Sequence, residues 1–227
     1  MIAYAVPRPE SVVLPIVEED AVFPVRRVFC VGRNYAAHAR EMGGDGREAP
    51  FFFSKPADGL APGGGEIPYP SATADLHHEV ELVVALAHGG SNFTPEQADA
   101  AIFGWAVGVD LTRRDLQAEA KASGRPWDAA KGFDFSGPIS AVTPRLKLDQ
   151  PRGRLRLRVG GTLRQEGDLA DMIWSPAEVV AQASKLWRLA PGDLIFTGTP
   201  EGVGPLVRGD KVEALCDGLS PLRFRVV

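Results

Sequence analysis

Residues 76–86 constrain this chain more than any other stretch. Val80, Leu82, Val83, Val84, Ala85 and Leu86 read as a strand entering a core, yet the run carries Glu79 and Glu81 two positions apart. Side chains alternate along a strand, so both carboxylates point to one face. Like charges on a partly buried face repel and are costly to desolvate unless a proton or a cation sits between them. One alternative is an exposed edge strand, where charge discourages aggregation. The apolar continuation argues instead for carboxylates on a cavity wall, with a divalent metal as their counter-charge.

The 227 residues suffice for one sizeable domain and are few for two. Residues 1–26, with Pro7, Pro9, Pro15 and Pro24, read as short lead-in strands, and 27–227 as the catalytic domain. A net charge of -4 gives no reason to expect nucleic acid or an anionic membrane as partner. No apolar run approaches a membrane span, and the first residues lack signal-peptide character, so a cytoplasmic protein is expected. Cys30 and Cys216 are too few for a disulfide framework and read as reduced, buried thiols.

Turn residues punctuate the chain throughout, with 25 Gly and 19 Pro. A buried strand is expected at 28–32, a short aromatic strand at 50–56 closed by proline, and a strand at 104–110, with a Gly/Pro-rich loop from 56 to 70 and a strand at 155–159 leading into a Gly160-Gly161 hairpin. Helices are expected at 35–42, at 94–101, at 115–122 and, most clearly, at 175–186. There Pro176 takes the first position and Val179, Val180, Ala183 and Leu186 form one stripe. Many short strands and few helices make this a mostly β, α+β protein with peripheral helices, its sheet rolled or sandwiched.

Asp110, at the end of its strand, offers a third carboxylate. With Glu79 and Glu81 it would form an all-oxygen set suited to Mg²⁺, Mn²⁺ or Ca²⁺ and poor for zinc or copper. His38 and Glu41 share a helix face, as an acid/base dyad able to activate water or as incidental neighbours. Lys131, before Gly132-Phe133-Asp134-Phe135, is either a cation for charge developing on a substrate oxygen or a snorkelling surface lysine.

These segments together resemble the fumarylacetoacetate hydrolase family. The matching motifs are Gly32-Arg33-Asn34-Tyr35-Ala36-Ala37-His38, Phe53-Ser54-Lys55-Pro56, His77-His78-Glu79-Val80-Glu81-Leu82, Gly108-Val109-Asp110-Leu111-Thr112-Arg113-Arg114-Asp115, Lys131-Gly132-Phe133-Asp134, Arg164-Gln165, Met172-Ile173 and Thr197-Gly198-Thr199-Pro200-Glu201-Gly202-Val203-Gly204. The resemblance implies a mixed β-roll, a homodimer, and a Mg²⁺ or Mn²⁺ site held by Glu79, Glu81 and Asp110. It also implies that His38 and Glu41 activate water, that Lys131 and Gln117 contact substrate oxygens, and that Arg33, Lys55 and Thr199 lie around the pocket.

Residues 121–131 look most like the acylpyruvases, while Phe51-Phe52-Phe53 with Ile173-Trp174 is similar to the bacterial fumarylpyruvate hydrolases. The implied reaction is cleavage of a carbon–carbon bond in an acylpyruvate such as fumarylpyruvate, giving fumarate and pyruvate. Oxaloacetate decarboxylation and isomerisation of a 2-oxo diacid use the same site and are the alternatives within this chemistry. A metal-stabilised binding module without catalysis is the alternative from another class. Arg113, Arg114 and Arg125 are candidates for a distal substrate carboxylate.

Overall fold

The computed structural model describes residues 4–35 and 48–227. Its centre is a mixed sheet running in the order Phe52–Lys55, Arg27–Val31, Asp193–Phe196, Val80–Leu86, Ile102–Val109, Gly137–Ile139 and Leu60–Pro62, with Thr143–Pro144 also paired to Ile102–Val109. A second sheet, Thr162–Asp168, Arg154–Val159, Lys211–Cys216, Leu222–Val226 and Gly65–Ile67, packs against one end of it. The protein is mostly β, as expected, with its helices at the periphery.

Every residue of Val80–Leu86 is buried because both faces of this strand are covered. Leu82, Val84 and Leu86 meet the helix Pro176–Leu186, while Val83 and Ala85 meet Leu14, Phe23 and Val25 from the first hairpin. That hairpin pairs Val13–Pro15 with Val22–Pro24, and its inward side chains are part of the main core. A strand buried on both sides is what lets Glu81 be 1% exposed.

Local chemistry explains the helix boundaries. Thr94 and Ser175 each form a capping box, with Gln97 and Glu178 respectively, and proline follows each cap at the first helical position. In the Pro176–Leu186 helix, Val179, Val180 and Ala183 are buried, but Leu186 is 62% exposed. The expected stripe therefore ends a turn early, where the chain leaves the sheet. Gly160 and Gly161 adopt φ of 57° and 83°, as a tight hairpin with two left-handed positions requires.

Two expectations change. The run at 76–86 is not one strand: Leu76–His78 pairs with Thr112–Arg113 and Gly204–Leu206 in a small separate sheet, and the chain breaks at Glu79 before entering the large one. The loop expected at 56–70 contains two short strands, Leu60–Pro62 and Gly65–Ile67, each recruited by parallel pairing with a distant segment. Cys30 and Cys216 are buried free thiols, as expected. Tyr35 pairs with Met172 in an isolated bridge, and the rest of the helix expected at 35–42 lies outside the described residues. None of the described helices is long and apolar enough to cross a membrane.

Candidate active site

Glu79, Glu81 and Asp110 converge, with one carboxylate oxygen from each lying within 4.8 Å of the others. Backbone pairing causes this. Glu79 occupies the break between the two sheets, where its carbonyl accepts the Asp110 N–H at 2.8 Å, and Val80 is in register with Val109. The two acidic positions are thereby clamped side by side at the point where both chains leave the large sheet.

A cationic cradle surrounds the trio. Lys131, 2% exposed on the short helix Asp128–Lys131, directs Nζ to Glu79 Oε2 at 2.8 Å, Asp110 Oδ2 at 2.6 Å and Thr112 Oγ1 at 2.6 Å. It is not a surface lysine. Lys55 Nζ donates to the carbonyls of Lys131 and Leu111 and stands 2.8 Å from Asp110 Oδ1 as an ion pair, so it buttresses Asp110 from behind. Arg114 Nη2 reaches Glu79 Oε1 at 2.5 Å, and its Nη1 donates to Gln117 Oε1 at 2.6 Å. Gln117 is buried on the Arg114–Ala122 helix, and among the described residues no acceptor takes its Nε2 protons.

Glu81 is held differently. Its Oε2 accepts the Gly198 N–H at 2.6 Å. Gly198 has φ of 98°, and a Cβ there would lie 2.7 Å from the Asn34 Cβ, so only glycine delivers that N–H. Burial first, then the neighbouring Asp110 and Glu79 charges, push the Glu81 carboxyl well above the usual carboxylate range. Burial acts in the same sense on Glu79, but Lys131 and Arg114 outweigh it and hold that carboxyl well below the usual range. Burial also disfavours the Lys131 ammonium, and Asp110 and Glu79 more than reverse this, raising its pKa. The trio thus offers two ion-paired carboxylates, Glu79 and Asp110, and one, Glu81, whose charge burial and its acidic neighbours oppose. Three buried carboxylate donors with no sulfur or imidazole fit a hard divalent ion.

Beside Lys131 opens a cavity of about 380 Å³ whose walls include Phe51, Phe53, Ser54, Arg125 and Trp127. Phe51 and Trp127 meet edge to face at 5.4 Å. The Arg33 guanidinium lies 6.0 Å from the Phe51 ring centre. Its neighbour Asn34, fully buried, ties this corner together by bonds to Trp174 and to the Thr197 carbonyl. Thr199 is 3% exposed on the Gly198 turn.

Most of the expected site residues are therefore brought together: Glu79, Glu81, Asp110, Lys131, Lys55 and Gln117 in one buried cluster, Thr199 on the turn that holds Glu81, and Arg33 at the cavity's aromatic wall. His38 and Glu41 lie outside the described residues. Of the arginines considered for a distal carboxylate, Arg114 is committed to Glu79 and Gln117, Arg113 to the Ala129 carbonyl and the Phe133 ring, and Arg125 lines the cavity. Nothing in the sequence alone singles out Thr112, Gly198 or the pair His78 and Gln165 for a role of their own. His78 sits beside the first glutamate and Gln165 in a recognisable motif, which is the only signal either offers.

Comparison with known proteins finds one matching family and several similar chains. The family model for the fumarylacetoacetate (FAA) hydrolase C-terminal region matches residues 27–227. The crystal structure of fumarylpyruvate hydrolase from Pseudomonas aeruginosa, in complex with Mn²⁺ and pyruvate, is 48% identical, superposes with a TM-score of 0.96, and is covered over 99% of both chains. The mitochondrial oxaloacetate tautomerase FAHD1 of Mus musculus is 43% identical over 202 residues, 88% of this chain and 91% of that protein. The Escherichia coli oxaloacetate tautomerase YcgM is 42% identical over 200 residues, 87% and 91% of the two.

Proposed function

Because this chain belongs to the fumarylacetoacetate hydrolase family, we propose that it is a divalent-metal-dependent hydrolase cleaving the carbon–carbon bond of an acylpyruvate, fumarylpyruvate foremost, to fumarate and pyruvate. One observation carries the reading. Glu79, Glu81 and Asp110 face Lys55, Lys131 and Arg114, three formal negative charges against three positive, so a Mg²⁺ or Mn²⁺ ion adds an excess of two positive charges. A dianionic 2-oxo acid balances it.

When bound, the ion supplies a Lewis acid that polarises the 2-oxo end of the substrate. The chain's own residues do the rest in this proposal. His38, oriented by Glu41, takes a proton from water, and the resulting hydroxide adds to the distal carbonyl. The tetrahedral adduct collapses with cleavage of the bond between that carbon and the neighbouring methylene, and the electron pair leaves on the pyruvate half as its enolate. The proton held by His38 returns to the enolate carbon to give pyruvate. Lys131, whose three N–H groups are engaged by Glu79, Asp110 and Thr112, contributes its positive charge, and the free Nε2 of Gln117 donates to the substrate oxygens on which negative charge develops, inside a buried site where such effects are strong. Arg33 and Thr199 hold the substrate, while Lys55 acts through Asp110. A cytoplasmic homodimer is part of the same proposal; light scattering tests its oligomeric state.

The FAHD1 and YcgM relatives favour a second reading, in which the substrate is oxaloacetate and no attacking water is needed. A metal-stabilised binding module without chemistry is the alternative from another class. Product analysis with fumarylpyruvate, acetylpyruvate and oxaloacetate, each with Mg²⁺ and with Mn²⁺, separates the readings. Fumarate plus pyruvate is the expected result. Turnover of oxaloacetate alone supports the second reading, and binding without turnover supports the module.

A further inference from the structure

Gln165 is 1% exposed and lies between the Leu76–His78 strand, the start of Val80–Leu86 and the Thr199 turn. Its Oε1 is 2.8 Å from His78 Nδ1 and 3.1 Å from the Val80 N–H, and its Nε2 is 2.9 Å from Thr199 Oγ1 and 3.0 Å from the Pro200 carbonyl. The orientation of the amide follows from its surroundings. A backbone carbonyl only accepts, so nitrogen must face Pro200; a backbone N–H only donates, so oxygen must face Val80. All four hydrogen-bonding positions of Gln165 are then filled.

Two consequences follow by donor and acceptor counting. His78 must carry its proton on Nδ1, because that nitrogen faces an acceptor. Thr199 Oγ1 must accept from Gln165, because an amide NH₂ cannot accept. The Thr199 hydroxyl proton is thereby left without an acceptor among the described residues. Gly198, the residue before it, donates to Glu81, so the turn that carries this hydroxyl is already docked on the carboxylate cluster.

We propose that Gln165 is a positioning residue that makes Thr199 an obligate hydrogen-bond donor to the anionic end of the substrate, and that ties the Thr199 turn to the strand leaving Glu79. This rests on the 2-oxo acid reading above. A threonine left to itself can donate or accept; Gln165 removes the choice, so the site is wired for an oxygen acceptor such as a carboxylate and against a donor.

The test is a double-mutant cycle on the Mn²⁺-loaded protein, with pyruvate binding measured by calorimetry alongside steady-state KM and kcat. Gln165→Glu replaces the donor with an acceptor, so Thr199 turns to donate to it and is lost to the substrate. Thr199→Val removes the hydroxyl, and Thr199→Ser keeps it. Each of the first two should weaken pyruvate binding and raise KM roughly 10- to 100-fold, the value of one hydrogen bond to a charged group, while Thr199→Ser stays close to wild type. The Gln165→Glu, Thr199→Val pair should bind no worse than Thr199→Val alone. Mn²⁺ affinity and Tm, measured in parallel, report on simple structural damage. If Gln165→Glu does not fold, Gln165→Met carries the same cycle, since it too removes the donor to Thr199. Losses that multiply in the double variant, or a Gln165 variant that binds pyruvate like wild type, overturn the assignment of Gln165. A wild-type protein that binds no pyruvate overturns the 2-oxo acid reading as well.

Discussion

Lys131 Nζ lies 2.6 Å from Asp110 Oδ2, so a carboxylate that faces the metal site also faces a resident cation. The same ammonium contacts Glu79 at 2.8 Å, which leaves the cluster provided with counter-charge from within the chain. Removing one partner of a buried ion pair strands the other in a low dielectric, at a cost of about 3 to 5 kcal/mol.

The Lys131→Met substitution should therefore lower the unfolding free energy of the metal-free protein by about that amount, and by clearly less in saturating Mn²⁺, where the ion replaces the lost charge. Urea denaturation with and without the metal measures both. An equal loss in the two conditions would mean that the lysine and the ion do not share the same carboxylates.

Metal binding should be pH-dependent through Glu81. Its folded pKa lies above the unfolded value because burial, Asp110 and Glu79 oppose its charge. Its contribution to stability is thus complete below the unfolded pKa and is lost as pH rises through the folded one. A divalent ion takes over the proton's place, so the rise in Tm on adding Mn²⁺ should be smaller at acidic pH and grow as the pH is raised. A metal-induced shift that stays level with pH would sink the idea that Glu81 holds a proton.

Under the proposed mechanism, Glu79→Ala should abolish metal-dependent turnover, and His38→Ala should reduce hydrolysis while Mn²⁺ affinity, followed by calorimetry, stays near wild type. A His38 variant with full hydrolytic rate would remove it from the role of base.

Gly32 controls the cavity wall. A Cβ at this position would fall 1.9 Å from the Phe51 Cζ, so Gly32→Ala must push the Phe51 ring from its place against Trp127. Phe51 is 41% exposed, and its ring can relocate at a cost under about 1 kcal/mol. The expected outcome is a several-fold change in KM with little change in Tm. Phe51→Ala should reproduce it, and the double variant should add nothing further.

Much of the architecture is readable where a few adjacent residues decide it. Thr94 with Gln97, Ser175 with Glu178, and Gly160 with Gly161 each settle a cap or a turn within four positions. The pairing of Glu79 with Glu81 is likewise local, and it led to the buried cluster even though its premise was incomplete. The strand alternation that puts both on one face is interrupted at Glu79, because Thr112–Arg113 and Gly204–Leu206 capture the segment before it. Such capture depends on partners far along the chain, as do the short strands within 56–70. Gln165 shows the limit most clearly, since its partners His78 and Thr199 stand 87 and 34 positions away, and its role exists only once three segments have met.

The cation that Lys131 supplies also separates two events in the life of this protein. Lys55, Lys131 and Arg114 together match the three carboxylates charge for charge, so the chain carries within itself the counter-charge its acidic cluster requires on folding, and loading with an ion becomes a separable event. A divalent ion that arrives later would then meet carboxylates already held in place by their hydrogen bonds and ion pairs.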